Sequence, residues 1–341
     1  MQLDVVTARE AMALFAADRP DALDAVDAYT RSSAGAELNV AIGLARLGLR
    51  VGYISRLGDD SFGRHLAHTL DREGIDRSQV EFDPQHPTGF MLKSRSDDGS
   101  DPKIEYFRRG SAASRLGPSE PLRAYAARAR HLHLTGIYVA VSDPTRDLVH
   151  TLARDARAAG RSISFDPNLR PALWRSSAEM VDGLNRLAAL ADWILPGLDE
   201  GRLLTGCSDA PGIAAHYLER GARGVVVKLG ADGAYWATAQ ASGRVAGVAV
   251  ERVVDTVGAG DGFAVGFISG LLEGLAPQLA AERGHAIGAR VVGFPGDCDG
   301  LPTRDELDAM MAGAPALQAD AGSAKNGSTR SSSACGASSA M

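Results

Sequence analysis

The chain of 341 residues is predicted to be an α/β protein, a three-layer α/β/α sandwich with a mainly parallel central sheet and a small β lid. Short apolar runs in the middle of the chain have the length and composition of buried parallel strands. Segments with helical periodicity separate these runs, and strands that alternate with helices form a parallel sheet covered on both faces. A region rich in Gly, Pro, Asp and Arg at about 80–110 instead contains short alternating pieces, which predict hairpin strands projecting from the main sheet.

The predicted elements follow one another with short links. The buried strands are 131–137, 162–168, 192–197 and 224–230. The helices between them are 147–159, 179–189 and 211–220. Proline at the start of a helix and glycine directly after its end are the expected start and stop signals. An earlier helix is predicted within 37–48, where Leu38, Ile42 and Ala45 form one apolar stripe before Gly48.

Composition excludes several classes of protein. The net charge of −6 and the absence of a Lys/Arg block argue against a nucleic-acid surface. Three widely spaced cysteines without a C-x-x-C pair argue against a disulfide framework or a zinc site and fit a reducing compartment. The N-terminus lacks the basic start of a signal peptide, and the most apolar segment, 257–272, is too short to span a bilayer. We therefore expect a soluble, cytoplasmic protein without a membrane partner.

Two parts of the chain differ in composition. Residues 1–312 have the apolar content of one folded domain. From Gly313 to Met341 the chain is mostly Ala, Gly and Ser with almost no large apolar residue, which predicts a disordered tail.

The stretch "DTVGAGDGF", residues 255–263, places a carboxylate directly after a glycine-rich loop. Taken alone, it is a tight turn followed by an acidic residue that caps a helix. Alternatively, Gly258 and Gly260 expose amides at the start of a helix 261–272, a terminus that binds anions, with Asp261 beside it. Phosphoryl transfer needs amides that stabilise charge and a base for the attacking hydroxyl. Neither G-x-x-x-x-G-K-[ST] nor G-x-G-x-x-G is present.

The longer stretch "DTVGAGDGFAVGFISGLL" resembles the C-terminal signature of the ribokinase-like, or PfkB, family of carbohydrate kinases. "AGAELNVAIGLARLG" and "VGYISRLGDDSFGRHL" are similar to the other characteristic region of that family, and the resemblance covers about residues 1–312. It implies a lid built from parts of about 10–35 and 80–115, a sugar substrate, ATP and Mg²⁺ as cofactors, and a homo-oligomer. It also implies that Asp261 is the base and that the amides of Gly258, Ala259 and Gly260 stabilise the transferred phosphoryl group.

Six stretches resemble the members of this family that act on the acid sugar 2-dehydro-3-deoxygluconate (KDG). They are "VVTARE", "GAELN", "YFRRGSAAS", "HLHLTGI", "DPNLRPALW" and "GDCDG". The resemblance assigns the KDG carboxylate to Arg108 and Arg170, with Tyr106 on the same strand face as Arg108. Arg170 follows a strand end, where ligands gather in such sheets. Without the resemblance each arginine is a solvated surface charge, and Arg109 keeps that interpretation.

Further assignments come from the resemblance alone. The sugar hydroxyls are assigned to Gly35, Ala36, Glu37, Leu38 and Asn39, and Asp297 is expected to close on the substrate. The alternative is a turn at Gly35 with Glu37 or Asn39 as a helix cap, and Asp297 as a loop residue. The nucleotide is assigned to Asn168, Arg170, Lys228, Gly230, Asp232, Gly233, Gly258 and Gly260. Residues 228–233 are otherwise a buried strand that ends in a glycine turn.

The family motif N-x-x-E occurs here as "GLDE", in which Gly197 stands in place of Asn and Glu200 is kept. We therefore expect no direct metal ligand, with Glu200 reaching Mg²⁺ through water, since this ion keeps much of its hydration shell.

Two alternatives remain open at this stage. One is a kinase of the same family for a neutral sugar such as ribose or fructose, against which the two predicted carboxylate-binding arginines argue. The other is an inactive, kinase-like regulatory protein, against which the intact "GAGD" at 258–261 argues.

Overall fold

The computed structural model describes residues 2–95 and 102–313, and in these residues it contains two sheets and eleven α-helices. The strands are β1 (Leu3–Ala8), β2 (Met12–Ala17), β3 (Tyr29–Ala34), β4 (Val51–Gly58), β5 (Asp76–Asp83), β6 (Phe90–Lys93), β7 (Ile104–Phe107), β8 (Ala129–Thr135), β9 (Ser162–Asp166), β10 (Trp193–Ile194), β11 (Gly224–Lys228), β12 (Ala234–Thr238) and β13 (Ser242–Val245). The helices are α1 (Ala36–Arg46), α2 (Ser61–Arg72), α3 (Glu120–Ala126), α4 (Gly136–Val141), α5 (Asp143–Ala158), α6 (Ser177–Ala188), α7 (Leu198–Thr205), α8 (Ala210–Leu218), α9 (Ala259–Leu272), α10 (Pro277–Val291) and α11 (Arg304–Gly313).

The main sheet has nine strands in the order β13-β12-β11-β10-β9-β8-β1-β4-β5. Its seven strands from β11 to β5 run parallel, and only β12 and β13, at one edge, pair antiparallel. The parallel strands are joined through helices, and the carboxyl ends of these strands therefore lie along the same edge of the sheet. This edge carries the polar residues described below. The predicted fold class is confirmed.

Helices cover both faces of this sheet and bury two apolar clusters. One cluster contains side chains of α5, α6 and α8, such as Leu148, Leu184 and Ile213. The other contains side chains of α1, α2 and α9, such as Leu44, Leu66 and Phe267. Because each cluster is enclosed between helices and one face of the sheet, the domain has three layers.

Helix α9 packs unusually close to α10 because glycines recur every four residues along one of its sides. Side chains at Gly262 and Gly266 would clash with α10, since a Cβ on Gly266 would lie 2.6 Å from the backbone of Gly284. Gly270 meets Ala280 in the same way. This contact fixes the position of α9, and with it the position of Asp261 in the first turn.

The second sheet has the order β3-β2-β6-β7 and is here called the lid. Strands β2 and β3 pair antiparallel, as do β6 and β7, and β2 pairs parallel with β6. All four strands fall within the ranges from which the sequence predicts a lid, and β6 and β7 pair as the predicted hairpin.

The strands predicted for the main sheet are present, but all of them end earlier than expected. Strands β8, β9 and β11 end at Thr135, Asp166 and Lys228, two residues before the predicted ends, because α4 begins directly after β8 and the chain leaves the sheet in loops after β9 and β11. Strand β10 has only two residues and ends at Ile194, three residues before its predicted end. The helices that were not predicted are α2, α3, α4, α7, α10 and α11. Gly313, predicted as the first residue of the tail, is the last residue of α11, and the rest of the predicted tail, 314–341, lies outside the described residues. No helix in the described ranges is long and apolar enough to span a bilayer.

Candidate active site

A cavity of about 580 Å³ lies between the lid and the carboxyl ends of the parallel strands. Arg9, Asp166 and Lys228 line it from the ends of β1, β9 and β11, and Met91 and Ile104 line it from the lid. Ligands in open α/β sheets bind at this edge. The predicted site residues that line the cavity are Gly35, Ala36, Asn39, Tyr106, Arg108, Asn168, Arg170, Glu200, Lys228, Gly258, Gly260, Asp261 and Asp297. The predicted residues that are not among the lining residues are Glu37, Leu38, Gly230, Asp232, Gly233 and Ala259.

The glycine loop forms the start of α9. Gly258 is the N-cap and has φ 87°, a conformation that favours glycine. A Cβ at this position would also lie 2.4 Å from the carbonyl oxygen of Asp297. A Cβ on Gly260 would lie 3.5 Å from Nζ of Lys228, so this ammonium stands beside the helix start. Amides of a first helical turn and an adjacent cation form an anion site.

Asp261 is buried in the first turn of α9, with 8% of its surface exposed. Its Oδ2 accepts a hydrogen bond of 2.8 Å from Nδ2 of Asn39. Burial raises the pKa of Asp261 to about 6, and the hydrogen bond from Asn39 opposes that rise. The carboxyl group is therefore mostly ionised at neutral pH yet basic enough to accept a proton.

The sugar loop is the segment 35–39 at the start of α1, to which the sequence assigns the sugar hydroxyls. Some of its residues line the cavity, and others lie behind the cavity wall. Gly35, the N-cap, packs against the backbone of Glu10 and lines the cavity together with Asn39. Glu37 is fully buried instead, where it accepts hydrogen bonds of 2.6 Å from Arg9 and from Oγ1 of Thr135. Leu38 belongs to the apolar core, like its neighbours on the same helix. The geometry therefore gives Glu37 and Leu38 a supporting place behind the cavity wall.

Two arginines line the cavity from different elements. Arg108 follows β7, is buried, and forms an ion pair of 2.5 Å with the fully buried Glu10. Its Nε has no hydrogen-bond partner within the described residues. Arg170 is exposed on the loop after β9, and its Nη1 donates a hydrogen bond of 2.8 Å to the carbonyl oxygen of Leu169. Both guanidinium groups keep donors for an anionic ligand.

Asp297 lines the cavity from the loop after α10 and is almost completely buried. Nζ of Lys93, at the end of the lid strand β6, lies 2.7 Å from its carboxylate and also pairs with Asp255. Burial raises the pKa of Asp297, and the ammonium of Lys93 opposes that rise.

The loop after β9 lines the same cavity as the anion site. Asn168 has φ 41°, the only positive value at a non-glycine residue in the described ranges. Its Oδ1 is buried and has no hydrogen-bond partner among the described residues. Glu200 holds this loop in place, because its carboxylate accepts the amides of Leu169 at 2.8 Å and Gly197 at 2.7 Å. Asp166, at the strand end, forms an ion pair of 2.6 Å with Lys228.

The remaining predicted nucleotide residues form a turn. Gly230–Asp232 is a single 3-10 turn after β11, and Gly233 follows with φ 97°. A Cβ on Gly233 would lie 2.0 Å from the carbonyl oxygen of Val245, so glycine is required for the turn itself. The amide of Ala259 donates to the carbonyl oxygen of Thr256 at 3.4 Å, which engages this amide within the loop.

Sequence reasoning did not assign a role to five charged residues that the structure places at the site. They are Arg9, Glu10, Lys93, Asp166 and Asp255. Arg9, Glu10 and Asp166 stand at the ends of buried strands, so the argument made for Arg170 could have found them. No sequence pattern marks Lys93, whose partners lie more than 160 residues away in the chain.

Residues 4–304 match the model of the pfkB family carbohydrate kinase. The chain belongs to this family. A 2-dehydro-3-deoxygluconokinase from Bacillus subtilis (strain 168) is 48% identical over 312 residues, which cover 91% of this chain and 96% of the relative. The resemblance that the sequence motifs indicate is therefore confirmed.

Solved structures agree with this family assignment. A PfkB protein from Polaromonas sp. JS666 is 52% identical, with a TM-score of 0.83 over 90% of this chain and 99% of that structure. A putative ribokinase II from E. coli, solved in complex with ATP and Mg²⁺, is 26% identical, with a TM-score of 0.84 over 91% of this chain and 99% of that structure.

Proposed function

We propose that this kinase transfers the γ-phosphoryl group of ATP to the primary 6-hydroxyl group of KDG, giving KDG 6-phosphate and ADP. The observation that carries the proposal is one cavity lined both by a buried carboxylate behind a glycine loop and by two arginines. The first feature suits transfer to a hydroxyl group, and the second suits an acid sugar. The 48% identity to a 2-dehydro-3-deoxygluconokinase supports the choice of substrate.

Asp261 is the proposed general base. As the hydroxyl oxygen attacks the γ-phosphorus, its proton passes to the Asp261 carboxylate, and the bond from phosphorus to the bridging oxygen breaks to release ADP. The hydrogen bond from Asn39 to Oδ2 fixes the carboxylate and leaves Oδ1 for the proton. Phosphoryl transfer requires little covalent chemistry from a protein, so alignment of the two substrates supplies much of the rate.

Charge on the transferred phosphoryl group is stabilised at the start of α9. The amides of Gly258 and Gly260 and the ammonium of Lys228 face the same part of the cavity. In a site closed off from water, such preorganised donors stabilise a transition state more strongly than they do in solution. The predicted contribution of the Ala259 amide remains a proposal with less geometric support, because this amide is directed at Thr256.

The carboxylate of KDG is placed at Arg108 and Arg170. Charge-assisted hydrogen bonds from guanidinium to carboxylate are short and directional, and they discriminate against a sugar without the acid group. Glu10 keeps Arg108 in the cavity wall through the ion pair of 2.5 Å. We assign Tyr106 to a contact with the sugar from the lid, and Asp297, which lines the same cavity, to a hydrogen bond that it accepts from a sugar hydroxyl group.

The residues on the nucleotide side fit ATP with Mg²⁺. Oxygen donors of Asp166, Asn168 and Glu200 face the cavity, and Oδ1 of Asn168 is buried without a partner in the described residues. Magnesium would take most of its oxygen ligands from the phosphates and from water, which these side chains would contact, and it would neutralise phosphate charge. Glu200 already accepts two amides, which favours contact through water. The turn 230–233 is proposed to run alongside the nucleotide, with its glycines required by the backbone itself.

Two expectations accompany the proposal, namely a cytoplasmic location and assembly into a homo-oligomer. Support comes from the composition of the chain and from its family. Fractionation of the source cells and light scattering of the purified protein test the two expectations separately.

The test of the proposed function is an ATP-consumption assay of the purified protein with KDG, gluconate, ribose and fructose. We expect the highest kcat/KM with KDG. A higher kcat/KM with ribose or fructose would assign the protein to the neutral-sugar kinases, and no turnover with any sugar would favour the inactive regulatory protein.

A further inference from the structure

Lys93 is a buried cation that joins the lid to the two loops behind the cavity. Only 4% of its side chain is exposed, and its Nζ contacts the carboxylates of Asp255 and Asp297, which are also buried. The three residues come from β6, from the segment before α9 and from the loop after α10. Lys93 therefore connects the lid both to the segment before α9 and to the loop after α10.

The two acidic residues both contact the glycine loop. Oδ1 of Asp255 accepts the amide of Val257 at 3.0 Å, directly before Gly258. The backbone carbonyl of Asp297 occupies the place that a Cβ on Gly258 would take. A shift of either acid would therefore displace the start of α9 or the side of the cavity that Asp297 lines.

The charge balance of this group depends on Lys93. Desolvation would lower the pKa of its ammonium, but Asp297 and Asp255 raise it above the ordinary value. Without Lys93, the buried carboxylate of Asp297 would face Asp255 with Asp299 nearby and with no cation beside it, an arrangement that costs free energy and disfavours the ionised form of Asp297. A protonated Asp297 would lose acceptor capacity toward a sugar hydroxyl group.

We propose that Lys93 is a positioning residue for acceptor binding: it holds the Asp297 carboxylate oriented in the cavity wall and fixes this wall to the lid. Lys93 is not among the described residues that line the cavity, so it acts through Asp297. The inference deepens the proposed function and rests on it for the identity of the acceptor.

The first experiment compares wild type with Lys93→Met, which keeps the apolar stem of the side chain and removes the charge. We expect the KM for KDG to rise at least about tenfold, the loss of a charge-assisted contact, while the KM for ATP stays within about twofold. The matched control is Lys103→Met, at an exposed residue directly before the lid strand β7, and it should leave both values unchanged. An unchanged KM for KDG in Lys93→Met overturns the proposal, as does an equal rise in both KM values.

The second experiment separates positioning from a merely structural role. In an Asp297→Asn background, Lys93→Met should change the KM for KDG less than about threefold, because both substitutions then act on the same contact. Additive effects would overturn the proposal. If Lys93→Met does not fold, Lys93→Ala replaces it. This variant is assayed with propylammonium, and with an equal concentration of sodium as the control. Only propylammonium should lower the KM for KDG.

These tests are run with the acceptor that wild type phosphorylates with the highest kcat/KM. A wild type that prefers another acceptor contradicts the KDG assignment, and the response of that acceptor's KM to Lys93→Met still decides the role of Lys93.

Discussion

Nδ2 of Asn39, in the first turn of α1, donates a hydrogen bond of 2.8 Å to Oδ2 of Asp261, in the first turn of α9. The two residues are separated by 222 positions in the chain. This bond joins the sugar loop to the glycine loop, so the residues expected to bind the acceptor and the base expected to activate it form one unit.

Asp261→Asn removes the proposed base while keeping the size of the side chain. We expect kcat to fall by about 10²–10⁴, the usual loss when general-base assistance is removed, with little change in the KM for ATP. Steady-state kinetics measures this, and circular dichroism verifies the fold. A variant that keeps more than about a third of the wild-type kcat would remove Asp261 from the mechanism.

Asn39→Leu tests how the pKa of the base is set. In wild type, kcat should decrease as the pH falls through about 6, because protonated Asp261 cannot accept the proton of the hydroxyl group. The hydrogen bond from Asn39 lowers the pKa of Asp261, so its loss should move the acidic limb of the kcat profile to higher pH. If the acidic limb of the variant lies at the same pH as that of wild type, this hydrogen bond does not set the pKa of Asp261.

The sequence predicts the parts of this site that are local in the chain. Asp261 with its glycines, and Arg170 after a strand, are marked by short-range patterns that the structure confirms as a helix start and a strand end. Alternation of strands and helices predicts the layered sheet and its strands β8 to β11, but the strands β1, β4, β5, β12 and β13 of the same sheet were not predicted. Patterns of this kind do not depend on distant partners, which is why one sequence is enough to find them.

The ion pairs could not be predicted in the same way. Arg9 with Glu37, Glu10 with Arg108 and Lys93 with Asp297 are formed between segments 28 to 204 residues apart. The pairing of these charges depends on how the lid and the helices pack, and the local sequence around each residue carries no information about that packing. The assignment of Glu37 to the sugar illustrates the limit, because its neighbours line the cavity while its own carboxylate is held by Arg9.

Gly258→Ala and Gly274→Ala form a matched pair at the two ends of α9. The φ values are 87° and 86°, but only at Gly258 would a Cβ approach the carbonyl oxygen of Asp297. Both variants should lose about 1–3 kcal/mol of stability through backbone strain. We expect only Gly258→Ala to lower kcat, by tenfold or more. Equal kcat values for the two variants would mean that the geometry of the glycine loop is not needed for transfer.

Truncation after Gly313 tests the predicted tail. The composition of residues 314–341 offers too little apolar surface to offset the entropy of ordering the chain. The truncated protein should therefore keep the Tm and the kcat of the full chain, as measured by calorimetry and by the kinase assay. A decrease of several degrees in Tm would show that the tail packs on the domain or on a neighbouring subunit.

The acid-sugar assignment depends on Arg108 and Arg170. Replacing either by alanine removes a charge-assisted contact worth roughly 1.5–3 kcal/mol, so kcat/KM for KDG should fall about ten- to a hundredfold. The exposed Arg109, directly after Arg108, provides the control Arg109→Ala, which should be close to wild type. Because Arg170 is also expected near the nucleotide, the KM for ATP is measured alongside.

The most direct measurement is the ratio of kcat/KM for KDG to kcat/KM for fructose, in wild type and in Arg108→Ala and Arg170→Ala. Fructose has no carboxylate, so its kcat/KM should be nearly unaffected, and the ratio should exceed one in wild type and fall at least about tenfold in each variant. A wild type that prefers fructose, with both variants keeping that activity, would contradict the assignment of an acid sugar to this cavity.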